Sequence, residues 1–242
     1  MLFRSEGNAI WGFAVTIFLL LVISGVFRLL CRGAKSNFYA TDGMVCVALS
    51  WIVLSLTGCL PFVISGEIPK FIDALFEIVS GFTTTGASIL PAVEDLSKGI
   101  LYWRSFSHWV GGMGVLVFLL AVVPSGDKGS GFTMHLLRAE SPGPSVGKLV
   151  PKMRKTAAIL YVLYIILTIA DIIFLLLGGM PAFEAVCNAF GTAGTGGFGV
   201  RNDSFASYSP YLQNVTTIFM FLFGVNFSCY YQIGRASCRE RV

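Results

Sequence analysis

Five stretches without a formal charge dominate the chain: Gly7–Phe27, Gly43–Gly66, Ser105–Gly126, Thr156–Ala170 (continuing past Asp171 to Phe183) and Ser204–Gly234. A helix that crosses the hydrocarbon of a bilayer needs about 20 predominantly apolar residues, so the pattern predicts five spans. The first is not a secretory signal, because its apolar core is too long and no small-x-small cleavage site precedes Arg28. Two shorter amphipathic segments, about Phe71–Gly81 and Pro181–Phe190, lie between spans two and three and between spans four and five. They are too short to cross a bilayer, and each leads into a run rich in threonine and glycine.

Composition sharpens the class. Of 242 residues, 55% are hydrophobic and 12% charged, with a mean hydropathy of +0.76. Soluble domains carry about 25% charged residues, so a cytosolic globular protein is excluded, and disorder is excluded by the same hydrophobicity. A formal charge of +4, not gathered on one face, gives no nucleic-acid footprint. Six scattered cysteines form neither a disulfide framework nor a zinc motif.

Lysine and arginine set the orientation. Arg28, Arg32 and Lys35 follow span one, and Lys128, Arg138, Lys148, Lys152, Arg154 and Lys155 follow span three. The alternate loops carry Lys70, Lys98, Arg104 and Arg201, diluted by Glu67, Glu94, Asp95 and Asp203. The basic loops are expected on the cytoplasmic side, with the N-terminus outside and Trp11, Trp51, Trp103, Trp109 and Tyr211 near the interfaces. The last ten residues, Ile233–Val242, place three arginines directly after an unfinished apolar helix. They resemble a translated sequencing adapter and are set aside as an artefact, so the chain is expected to be a fragment of a longer protein.

One unit occurs twice. Ile72-Asp-Ala-Leu-Phe-Glu-Ile-Val-Ser-Gly-Phe-Thr-Thr-Thr-Gly-Ala-Ser88 is echoed by Pro181-Ala-Phe-Glu-Ala-Val-Cys-Asn-Ala-Phe-Gly-Thr-Ala-Gly-Thr-Gly-Gly-Phe198. Phe76 answers Phe183, Glu77 answers Glu184, and Thr85-Gly86 answers Thr195-Gly196. Irregular backbone at membrane depth is tolerated only where protein buries it or it lines a watery cavity. A half-helix ending in Thr-Gly presents negative partial charge at its C-terminus, glycine lets carbonyls turn toward an axis, and such carbonyls can replace the water shell of an ion. The pattern points to a cation pore.

Phe82-Thr-Thr-Thr-Gly-Ala-Ser88 closely resembles the first filter segment of the Trk/Ktr/HKT superfamily of potassium transporters. His108-Trp-Val-Gly-Gly-Met-Gly-Val115 is similar to the following helix in its bacterial TrkH-like members, and Thr195-Gly-Gly-Phe198 and Asn226-Phe-Ser-Cys-Tyr-Tyr231 resemble the second repeat. The resemblance implies an all-α integral membrane protein built of helix–pore helix–filter–helix units, two of an expected four, plus one leading transmembrane helix. The boundaries that follow are 1–35 for the leading helix, 36–125 for the first unit, 126–155 for a cytoplasmic basic linker, and 156–232 for a truncated second unit. It further implies a multi-pass protein of the bacterial cytoplasmic membrane, with potassium as transported substrate and no organic cofactor. A cytosolic nucleotide-binding ring subunit and, at full length, a homodimer are the implied partners beside the lipid bilayer.

On this reading the filter residues are Thr84, Thr85, Gly86, Gly194, Thr195 and Gly196. Within the superfamily, glycine rather than serine at the first filter position goes with potassium, so Gly86 favours potassium over sodium. Gly194–Gly199 also satisfies G-x-G-x-x-G, but it lacks the preceding strand and the acid about 20 residues on that a dinucleotide site requires, so an enzyme is not expected. Asp171, His108, Glu77 and Glu184 are candidates for the mouth or gate. Asp171, the one acid inside a span, is expected to reach the interface. His108 is expected to start the third span and pack on the pore helix. Asp73, Glu77 and Glu184 either draw cations to the mouth or bond backbone behind the filter. Gly111, Gly112, Gly114 and Ser107 form a small-residue face for close helix packing.

Overall fold

The computed structural model describes residues 2–30, 32, 40–114, 153–227 and 229–230. Most of the expected basic linker, the second half of the third span and residues 233–242 lie outside them. Among the described residues all regular structure is helical.

Helix α1 (Leu2–Leu30) is one uninterrupted element, and side chains such as Trp11, Leu21 and Leu30 stand exposed along it. The second apolar run folds as α2 (Ala40–Gly58) and α3 (Leu60–Ser65), with Cys59 at the junction. Pro61 explains the break, because its ring has no N–H to give and crowds the turn before it. Helix α1 rests on α3. There a side chain on Gly12 would come within 3.0 Å of the Pro61 carbonyl, so the glycine permits the close approach. Helix α6 (Met153–Leu177) is the fourth run. Gly7–Leu30, Val45–Ser65 and Ala158–Leu177 are long and apolar enough to cross a membrane.

Two expected spans differ. Helix α5 (Lys98–Met113) begins earlier than Ser105, with the Ser97 hydroxyl accepting from the Ile100 amide at 3.4 Å as its cap. Charge-free runs miss this start because Arg104 lies inside the helix, where a carboxylate pairs with it. The fifth run yields α8 (Pro210–Gly224), 15 residues that Ser209 caps in the same way after turns at 204–207, and helical backbone recurs beyond it at residues 227, 229 and 230.

The two short helices are present as α4 (Phe71–Phe82) and α7 (Ala182–Ala193), 12 residues each. Their ends are related by a constant interval of 111 residues. So are two positive-φ positions beyond each, Thr84 (+55°) with Thr195 (+57°) and Gly86 (+74°) with Gly197 (+81°). The pairing of Glu77 with Glu184 is therefore displaced by one turn. By conformation Glu77 corresponds to Asn188, Asp73 to Glu184, and Gly86 to Gly197. The Phe-Glu dipeptides stand at different helix positions in the two units, so likeness of residues and likeness of conformation give different registers.

The core has two parts. One gathers α1, α3, α4 and the start of α5 around Phe62, Ile78, Phe82 and Ile100. The other gathers α6, α7 and α8 around Tyr164, Leu175, Ala189 and Phe219. Helix α5 joins them, packing on both α4 and α7. Trp103 and Trp109 are half-buried and turn their indole N–H groups toward neighbouring helices. Their indole N–H groups donate to the Gly58 carbonyl at 2.9 Å and the Thr168 hydroxyl at 3.1 Å, since a buried indole needs an acceptor.

Candidate functional site

Each Thr-Gly run begins where a short helix stops. Past α4, the Thr84 amide bonds back to the Gly81 carbonyl at 3.0 Å, and past α7 the Thr195 amide bonds back to Thr192 at 2.9 Å. Both threonines hold positive φ, which a β-branched residue adopts only under strain. Such outliers persist where the surroundings over-determine them and cluster at functional sites.

The runs touch. A Cβ on Gly86 would overlap the carbonyl of Gly196, and one on Gly196 would come to 2.5 Å from the Thr84 carbonyl. A Cβ on Gly194 would meet the Thr84 methyl at 3.2 Å. Thr84, Gly86, Gly194 and Gly196, four of the six predicted residues, thus come together, Gly86 and Thr84 against Gly196 by backbone and Gly194 against the Thr84 methyl. The Thr85 hydroxyl is exposed and shares a 2.8 Å hydrogen bond with Thr83, and the Thr195 side chain is exposed.

Helix α5 holds the two runs from behind. Its Gly111 lies so close to the Phe82 carbonyl that a Cβ would overlap it. Gly112 would carry its Cβ to 3.1 Å from Ala193 O and Gly194 Cα. Ser107 fills the space left by Gly81 and donates to the Arg104 carbonyl at 2.6 Å. His108 does not start the span. It lies three turns inside α5, fully buried, with its ring edge-on to Phe198 at 4.1 Å and its Nε2 where a side chain on Gly196 would fall.

Arg104, read in sequence as a loop charge, is 3% exposed and reaches both runs. Its Nε bonds to the fully buried carboxylate of Glu77, its Nη1 donates to the Gly199 carbonyl at 2.9 Å, and its guanidinium lies 3.6 Å from the Phe198 ring centroid. Glu77 also accepts from the Ser88 hydroxyl at 2.9 Å and the Ile89 amide at 3.2 Å. Of the two readings left open for Glu77, the structure gives the one behind the run. An arginine inside an otherwise apolar helix was the signal available for this pair, and the charge-free criterion discarded it.

Glu184 lies further out, partly exposed. It accepts from Arg201 Nη2 at 3.0 Å and from the Tyr208 hydroxyl. Burial and the neighbouring carboxylate push the Tyr208 phenol up to about 12. Asp171 does not reach the interface. It is fully buried on the face of α6 that packs on α7. A cavity of about 530 Å³ opens between Lys98, Phe183, Glu184 and Arg201, but no residue of either run lines it.

Where one unit uses a side chain, the other uses a space. The Ser80 hydroxyl donates to the Ala87 carbonyl at 2.6 Å, while at the corresponding Gly191 a Cβ would overlap the Phe198 carbonyl. Both devices fix the carbonyl that follows the run.

The family model of the TrkH cation transport protein matches residues 10–236. The potassium uptake protein TrkH of Salmonella typhimurium is 36% identical over 225 residues, which are 91% of this chain and 46% of that protein. The potassium uptake protein TrkG of Escherichia coli is 34% identical over 233 residues, 95% of this chain and 47% of that protein. The crystal structure of the potassium transporter TrkH from Vibrio parahaemolyticus superposes with a TM-score of 0.75 at 32% identity, covering 93% of this chain and 44% of that one. The chain thus spans about half the length of the relatives it matches. A helical membrane protein whose match to the model of a cation transporter, not an enzyme, runs through both Thr-Gly segments belongs to the TrkH family.

Proposed function

We propose that this chain forms two of the four units of a potassium uptake pore in the bacterial cytoplasmic membrane, with Thr84, Thr85, Gly86, Gly194, Thr195 and Gly196 supplying half of its filter. The observation that carries the reading is the backbone contact between Gly86 and Gly196 at the ends of two short helices. Two helix C-termini brought together favour a cation beside them. Carbonyl groups of irregular backbone are the ligands that replace a potassium ion's hydration shell. No chemical step is needed. The ion sheds water at the outer mouth, is held by oxygens from all four units, and leaves because no single site binds it strongly.

The units correspond to residues 36–125 and 156–232, behind a leading helix at 1–35. The remaining two units lie outside this chain, in keeping with its spanning 46% of the Salmonella protein. At full length the protein pairs as a homodimer and docks a cytosolic nucleotide-binding ring through its basic linker.

Selectivity of the completed protein tests the reading. Expressed in bacteria deficient in potassium uptake, the protein extended through all four units is expected to take up rubidium in preference to sodium, and Gly86→Ser to shift that preference toward sodium. Equal rubidium and sodium uptake by the parent, or a preference unchanged by Gly86→Ser at equal membrane abundance, overturns it.

A further inference from the structure

An enclosed carboxyl group stands in the wall of the second unit with no cation to answer it among the described residues. Asp171 shares a buried stripe of α6 with Tyr164, Thr168 and Leu175 and is 0% exposed. Neither of its oxygens has a hydrogen-bond partner among the described residues. Thr192, in the last turn of α7, is the polar side chain beside it, and that hydroxyl spends its proton on the Asn188 carbonyl at 2.9 Å.

The charged and titratable groups on the elements around Asp171 are engaged elsewhere. On α7, Glu184 is held by Arg201 and Tyr208, and Cys187 lies toward Ser105 of α5. On α8, the Tyr211 hydroxyl donates to the Phe174 carbonyl at 3.4 Å. On α5, Arg104 is paired with Glu77 and His108 packs on Phe198. On α6 itself, the Tyr164 hydroxyl donates to the Trp109 carbonyl at 2.9 Å, and Tyr161 packs edge-on to Trp109. Among the described residues no cation reaches Asp171. Enclosing an uncompensated carboxylate is among the costliest arrangements a fold can hold, and a bound proton removes the charge.

We propose that Asp171 is a proton-binding site whose occupancy sets the last turn of α7. With the proton bound, the acid O–H donates to Thr192 Oγ1 while Thr192 donates to Asn188, so every polar hydrogen is used. When the proton passes to water, the carboxylate left behind has one donor within reach, the Thr192 hydroxyl. Taking it breaks the Thr192–Asn188 bond two residues before Gly194. The site's existence is independent of the potassium reading, and only its consequence for transport rests on that reading. Proton occupancy is then a lever on the second Thr-Gly run.

The test uses the 242-residue chain in lipid nanodiscs. Infrared spectra at neutral pH are expected to show a protonated-carboxyl C=O band that shifts when aspartate alone carries carbon-13 and vanishes in Asp171→Asn. Absence of the band, or its survival in Asp171→Asn, overturns the site. Even if the variant does not fold, an unshifted band in the labelled parent overturns the site, because it belongs to a residue other than aspartate. Amide exchange in residues 192–197 is then compared between parent and Asp171→Asn at each pH. Faster exchange in the parent alone, setting in at the pH where its band disappears, is the expected coupling. Identical exchange in the two overturns the coupling to α7.

Discussion

The two Thr-Gly segments have one backbone and two kinds of support. Thr84 and Thr195 hold the same φ within a few degrees, as do Gly86 and Gly197. Behind the first lies a buried ion pair, Glu77 with Arg104, whose carboxylate also gathers Ser88 and Ile89. At the position corresponding to Glu77 the second has Asn188, a neutral amide donating to the Tyr208 hydroxyl at 3.3 Å, and its own carboxylate pair has moved outward to Glu184 and Arg201. What the two units share is the path of the chain. The chemistry that enforces it is replaceable: a buried ion pair in one unit, a neutral amide donating to a phenol in the other.

The contrast breaks first at the charges. Removing one member of a buried pair strands the other, at a cost of about 3–5 kcal/mol. Glu77→Gln and Arg104→Met are each expected to lower the unfolding free energy of the detergent-solubilised chain by that amount, and the double variant to recover part of it. A double variant as unstable as the sum of the singles would show that the pair is not one unit.

Next in size are the points of backbone contact. Gly86→Ala and Gly196→Ala push a methyl into carbonyl groups that cannot swing away, with an expected loss of roughly 1–3 kcal/mol each. Equal losses would confirm a shared seam, whereas a much milder Gly196→Ala would mean that the second run yields. Smaller again is the strain at positive φ. Thr84→Gly and Thr195→Gly are each expected to raise stability by up to about 1 kcal/mol, less the added chain entropy. A gain at one site and a loss at the other would deny the common backbone.

The smallest effects belong to the outer pair. Glu184→Gln removes a partly exposed interaction with Arg201, so its cost should stay below about 1 kcal/mol, several-fold less than Glu77→Gln. Tyr208 adds a pH signature. Its folded phenol titrates near 12, above the ordinary value of 10.0, so its contribution is complete below pH 10 and is lost as pH rises from there through 12. Tyrosinate absorbance should show this group ionising late, near pH 12, in the parent and earlier in Glu184→Gln.

Much of this was readable in the residues. Apolar length gave the three long helices, and amphipathic spacing with the Thr-Gly punctuation gave α4 and α7 to within a few residues. The register between the units was not readable, because similar dipeptides attract a match while only dihedral angles reveal which positions are equivalent. Arg104 was hidden for a related reason. A charge-free window treats every arginine as solvent-facing, although an arginine with a buried carboxylate opposite belongs to the interior. Asp171 was legible as unusual but not as enclosed, since burial on one face of an apolar helix depends on which neighbours that face meets.

The double reach of Arg104 also sets an order of construction. Its carboxylate partner lies 27 residues upstream and is already present when α5 is made. Its second acceptor, the Gly199 carbonyl, lies 95 residues downstream. A chain made from the N-terminus can therefore close the ion pair early but must hold part of that guanidinium open until another span and another short helix have entered the membrane. The first Thr-Gly segment is thus finished by the second, and a ribosome that stops before Gly199 leaves both undone.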